Sequence, residues 1–205
     1  SPLDPAMDAR QKLADMAKAQ NDFRGRAQWI EEIIRADKQA GTARTDRSKY
    51  LAAKATLETA DPHVAMFNAV KLVAPLDKSL KSKRNAMEKV MSIYGQALDY
   101  SVAEVTTAAT FGMAGLYRNL GADLITSERP KNLDAEALEQ YDVLLEEQAF
   151  PFEEKAIELH ETNAQRARDG VYDEWVQRSF DMLAKLVPAR YARTEISEDY
   201  VPTIR

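Results

Sequence analysis

The chain has no cysteine, so it has no disulfide, no thiolate nucleophile and no cysteine-held zinc, and its redox chemistry leaves cytoplasm and periplasm equally open. It has only two histidines, His63 and His160. Ala60 and Ile157 stand three residues before them, where the Glu-x-x-His pairs of a di-iron bundle need glutamates, and no His-Glu-x-x-His zinc motif occurs. Glycine is also scarce, 7 residues in 205, and none sits in a phosphate-cradling loop or a Gly-x-Ser-x-Gly turn. No apolar run reaches the roughly 18 residues needed to span a bilayer. The most lipid-like stretch, Val105 to Leu116, is short and interrupted by Thr106, Thr107 and Thr110, so it reads as a buried helix. Cationic excess is missing as well: the formal charge is -5, which argues against a dedicated nucleic-acid binder.

What remains is the composition of a folded helical domain, 45% hydrophobic and 30% charged, with alanine, leucine, glutamate, lysine, glutamine and arginine dominating. The chain begins Ser1-Pro2-Leu3-Asp4-Pro5, and residues 1–5 read as a trimmed, unstructured end. From Pro5 to Ala40 the pattern is helical, with Phe23, Ala27, Ile30 and Ile34 on one face and a break marked by Asn21-Asp22 and Gly25. Residues 41–46 form a polar loop. A helix over 47–60 places Tyr50, Ala53, Leu57 and Ala60 together, and Asp61-Pro62 supplies an N-cap and a first-turn proline for a helix running to Ala74. Pro75 interrupts it before a helix over 76–96. The stretch 97–127 offers only glycines as breaks, and Ala108, Gly112 and Gly115 lie four and three apart, a smooth strip for a neighbouring helix.

Ser127 to Pro130 is a stop, Asp134 and Glu136 open the next helix, and Pro151 falls inside its pattern, as a kink or a new start. Asp169-Gly170 closes that helix. The last, over 171–187, pairs the stripe Val176, Phe180, Leu183 and Val187 with the stripe Trp175, Ser179, Met182 and Leu186. Residues 194–205 read as a loose tail. Without alternating strand patterns the chain is expected to be all-α: one domain, 1–205, of antiparallel helical hairpins. The Met, Phe and Tyr residues at helical spacing are assigned to the core.

Two charge blocks stand out. Between Asp134 and Glu161 ten carboxylates face only Lys155, and the stretch after Lys71 carries Lys78, Lys81, Lys83, Arg84 and Lys89 against Asp77 and Glu88. The acidic block is read as a solvated or partner-facing surface. In the basic block Lys78, Lys81, Lys83 and Arg84 are the candidate protein-binding residues.

Helix pairs at a period of about 34 residues mark tetratricopeptide arrays. Ala53, Ala65 and Ala69, and later Trp175 and Ser179 with Met182 in the usual tyrosine place, fit that pattern in part. The segments Ser127-Glu128-Arg129-Pro130, Leu144 to Ile157, His160-Glu161-Thr162-Asn163, Gly170 to Val176 and Pro188-Ala189-Arg190-Tyr191 together resemble the C-terminal region of tetratricopeptide-repeat proteins of Gram-negative envelopes, including gliding-motility and related complexes. The resemblance covers about 47–193. It implies a tetratricopeptide-like superhelix or the capping domain of such an array, a non-catalytic scaffold in the periplasm or at the outer membrane, and no catalytic residues or cofactor. The expected partner is a protein or peptide, within a complex associated with the membrane. The alternative is a helical-bundle enzyme or metal carrier whose site assembles only in three dimensions.

Overall fold

The computed structural model describes residues 2–192, and among them there is helix and no strand. The order is α1 (Leu3–Ala19), α2 (Phe23–Ala40), α3 (Asp46–Glu58), α4 (Asp61–Ala69), α5 (Leu76–Leu98), α6 (Ala103–Ile125), α7 (Ala135–Arg166), α8 (Glu174–Leu186) and the single turn α9 (Pro188–Tyr191). The all-α expectation holds, and sequence neighbours pack as spatial neighbours in the manner of helical-repeat proteins: α1 on α2, α2 on α3, α5 on α6, α6 on α7, α7 on α8. Lengths from 9 to 32 residues among α1 to α8 show that the units are unequal.

Local chemistry sets most boundaries. Asn21 takes a positive φ of 57°, and the Asp22 carboxylate accepts the Gly25 N–H at 2.9 Å, separating α1 from α2. Thr45 and Ser48 form a reciprocal cap at the start of α3. Asp134 caps α7, and Asp173 caps α8 by accepting the N–H groups of Trp175 and Val176, both at 3.0 Å. Gly170, at φ 83°, turns the chain between α7 and α8.

Several expectations need correction. Residues 3–5 are not an unstructured end: proline is tolerated in a first helical turn, and Leu3 packs against the cluster of Met7, Ile30, Ile33 and Leu51. Phe23 and Ala27 are exposed, and α2 instead buries Ile30, Ile33 and Asp37. This face is rotated because Asp37 has polar company, Arg44 at 2.7 Å and the Ser48 hydroxyl at 2.7 Å. Asp61 is the first residue of α4, whose N-cap is Ala60, and α4 stops at Ala69 rather than Ala74. The stretch 97–127 is not unbroken, because Ser101, at φ 56°, separates α5 from α6. The loose tail expected over residues 194–205 lies outside the described residues.

The centre of the molecule is the cluster of Phe67, Met87, Val90, Tyr94, Met113 and Leu120, where α4, α5 and α6 meet. Gly112 is needed there, since a β-carbon would come within 2.6 Å of the Tyr94 ring. Gly115 meets nothing within 4 Å, so the expected glycine strip is one close contact. On the other side of α6, Gly121 faces α7, but a β-carbon there would lie 3.4 Å from the Ala149 carbonyl, an ordinary contact. With Leu124 packed on Ala149, this register carries the first turns of α7 past the end of α6. There Asp142 is held by Arg129 of the connecting segment at 2.6 Å. Pro151 lies inside α7 and does not end it.

Candidate interaction surface

The basic stretch does not form one surface. Lys78, Lys81 and Arg84 are exposed, but Lys83 is 1% exposed and belongs to the core. Its ammonium donates to the carbonyls of Phe67 (3.0 Å) and Val70 (2.8 Å), lies 2.6 Å from Asp123, and sits 4.4 Å from the centre of the Phe67 ring. It closes the C-terminal end of α4, where the Phe67 carbonyl otherwise has only the Val70 N–H at 3.2 Å. Arg84 is likewise engaged at its tip, its guanidinium 5.9 Å from the Phe152 ring of α7. Lys78 and Lys81 remain exposed on α5, with Lys89 further along the helix, while Lys83 leaves the candidate set.

A second polar cluster is sealed between α6, α7 and α8. His160, Asn163 and Ser179 are buried. The Asn163 amide donates to the Thr107 carbonyl (3.0 Å) and the Ser179 hydroxyl (3.1 Å), and its oxygen accepts from Arg166, which also reaches Thr110 at 3.2 Å. The Thr107 hydroxyl donates to Asp173 at 2.5 Å, tying α6 to the cap of α8. His160 Nδ1 lies 3.3 Å from Ser179, and its ring meets Phe111 edge-on at 5.3 Å. Serine and histidine adjoin here, both buried, in a cluster whose hydrogen bonds link α6, α7 and α8.

Burial, with the Arg118 charge adding to it, pushes the His160 pKa down to about 4. The folded protein therefore holds the imidazole neutral where the unfolded chain, titrating near 6.5, takes up a proton. Stability from this group is complete above pH 6.5 and falls as the pH drops toward 4. Between pH 6.5 and 5 the loss should reach about 1.5 kcal/mol. Urea titrations at the two pH values will show it, and His160→Gln should remove most of that slope.

An open cleft of about 430 Å³ lies between α1, α2 and α3, lined by Asp15, Arg26, Tyr50, Lys54 and Glu58. Its charges are spoken for: Arg26 grips Glu58, and that bond raises the Arg26 pKa. Lys54 pairs with Glu104 at 3.0 Å. Among the described residues no group of three or more histidines and carboxylates is placed to hold a metal ion, and no helix is long and apolar enough to cross a membrane.

The outer face of α7 is different. Leu145, Ala149, Ala156, His160 and Asn163 bury one side of this helix, while Val143 and Phe150, two turns apart on another side, are 50% and 58% exposed. Leu144 is exposed too. Around them stand Glu136, Glu139, Glu146, Glu147, Glu153 and Glu154, all exposed and none in an ion pair with a described residue. Assigning the aromatics and methionines to the core overlooked this stripe; Phe23, Met16, Met66 and Tyr172 are also exposed. The available signal was the presence of two apolar series on one helix, 145-149-152-156 and 143-150, where a single series fills a core face.

No family model matches this chain, and comparison with curated proteins and with solved structures gives no match. The functional reading rests on the molecule's own geometry.

Proposed function

We propose that this chain is a non-catalytic helical scaffold domain that binds another protein through the outer face of α7. The observation that carries this reading is the pair Val143 and Phe150, large apolar side chains half in water on a helix whose other side is fully packed. An exposed apolar series rimmed by charge is the usual makeup of a recognition face, where apolar anchors supply affinity and the rim selects the partner. The sealed state of the His160, Asn163 and Ser179 cluster and the internal pairing of charges in the α1–α3 cleft agree with a binding role. The setting proposed, a tetratricopeptide-like part of a larger bacterial envelope protein in the periplasm or at the outer membrane, is supported by the sequence resemblance.

The test is a tagged full-length protein recovered from its native cells with Val143→Asp and Phe150→Asp, compared by quantitative mass spectrometry with the unaltered protein. Proteins captured by the unaltered chain should fall at least about tenfold in the variant, since removing a buried interface anchor costs about 2 kcal/mol or more. The unfolding midpoint should barely move, because exposed positions tolerate polar residues. Undiminished capture by the variant overturns the assignment of this face.

A further inference from the structure

Resting on that reading, the surface itself defines the chemistry of its partner. Val143 is followed at three and four positions by Glu146 and Glu147, and Phe150 by Glu153 and Glu154, while Glu139 and Glu146 precede the two by four. Residues three and four apart are neighbours on a helix face, so each apolar anchor is bracketed by carboxylates above and below. The helix itself offers little relief: Lys155 is taken by Glu158 at 2.7 Å, and Arg166 lies in the buried cluster. Like charges this close repel one another, and a cationic partner removes that cost when it binds.

Other occupants fit poorly. A second copy laid α7 against α7 sets glutamates against glutamates. A second copy offering its basic α5 face brings Lys78, Lys81 and Lys89, but the other exposed residues between them are Ser82, Arg84, Asn85 and Glu88, none of them apolar, which leaves Val143 and Phe150 without apolar contacts. Anionic lipid and nucleic acid are repelled by the same carboxylates. What satisfies both features is a helix with its own apolar residues at spacings of three, four and seven, flanked by lysine or arginine. We propose that the outer face of α7 seats a basic amphipathic helix of another protein. Two anchors and a narrow stripe make the contact a transient one.

The probe is a fluorescein-labelled synthetic helix of about 20 residues, roughly 30 Å long, with leucines in a heptad seam and lysines beside them. A twin with glutamate in place of lysine serves as the control. Fluorescence anisotropy with the full chain should show saturable binding of the lysine helix, weakened several-fold between 50 and 300 mM salt, and none of the glutamate twin. Val143→Asp with Phe150→Asp should weaken it at least about tenfold, and so should Glu146→Lys with Glu147→Lys, Glu153→Lys and Glu154→Lys. Circular dichroism melts confirm that each variant is folded. No binding at 50 mM salt, or binding that the aspartate pair leaves unchanged, overturns the proposal. The lysine-reversal variant also separates the two readings in native-cell capture. If it retains the partners that the aspartate pair loses, α7 remains the binding face and the basic helix is rejected; if the aspartate pair loses nothing, both fall.

Discussion

Lys83→Ala is expected to lower the unfolding free energy by about 3 kcal/mol, far more than any other lysine of the basic stretch. The ammonium is buried and serves three oxygens, the Phe67 and Val70 carbonyls and Asp123. Deleting it leaves the Val70 carbonyl without a donor, the Phe67 carbonyl with only the Val70 N–H at 3.2 Å, and a void beside the Phe67 ring, and the orphaned group adds a desolvation penalty. Asp123 is 42% exposed and regains water when its partner goes, which holds the loss to the low end of the range for broken buried pairs. Lys83→Met keeps most of the volume and should cost less, while Lys81→Ala should change stability by under about 0.5 kcal/mol. Urea denaturation followed by circular dichroism checks all three; a loss below about 1 kcal/mol for Lys83→Ala would sink this account of its role.

Asn163→Ala should cost a comparable amount, about 3 kcal/mol, because one side chain satisfies groups on three helices. Without it the Ser179 hydroxyl and the Arg166 guanidinium lose their shared partner. Burial already lowers the Arg166 pKa, with Asp173 acting against the shift, so further loss of hydrogen bonding falls on a cation that is poorly hydrated. The damage should be local as well as global. Amide exchange in α8 should accelerate by at least about tenfold, while exchange in α1 to α3, tied to other clusters, changes little. Equal acceleration in both regions would mean that Asn163 is not a local fastener.

The contrast between Lys81 and Lys83 shows which parts of this fold a single sequence reveals. Helix starts at Asp22, Asp134 and the Gly170 turn were legible, because a cap is made by residues within a few positions of the backbone it satisfies. Lys83 lies four, seven and eleven residues before Met87, Val90 and Tyr94, so helical periodicity points it inward. Counting charges along the chain grouped it instead with its exposed neighbours. Asp37, His160, Asn163 and Ser179 were harder still, since what permits their burial is a partner on another helix that no local pattern discloses. The same limit hid the start of α6, set back to Ala103 because Ser101 adopts a left-handed conformation without a proline or glycine to announce it. On α7 the acidic series was plain, yet its apolar companions were assigned to a core that the structure fills from the opposite side.

Pro151 has no amide proton, so the carbonyl of Glu147 goes without its usual intrahelical donor, midway along the 32 residues of α7. Buried residues flank it on both sides, Leu145 and Ala149 before it and Ala156, His160 and Asn163 after it, so neighbouring helices hold α7 across the gap. A missing bond of this kind is where a long helix bends most readily, so the direction of the face carrying Val143 and Phe150 is set by the packing on either side of the proline.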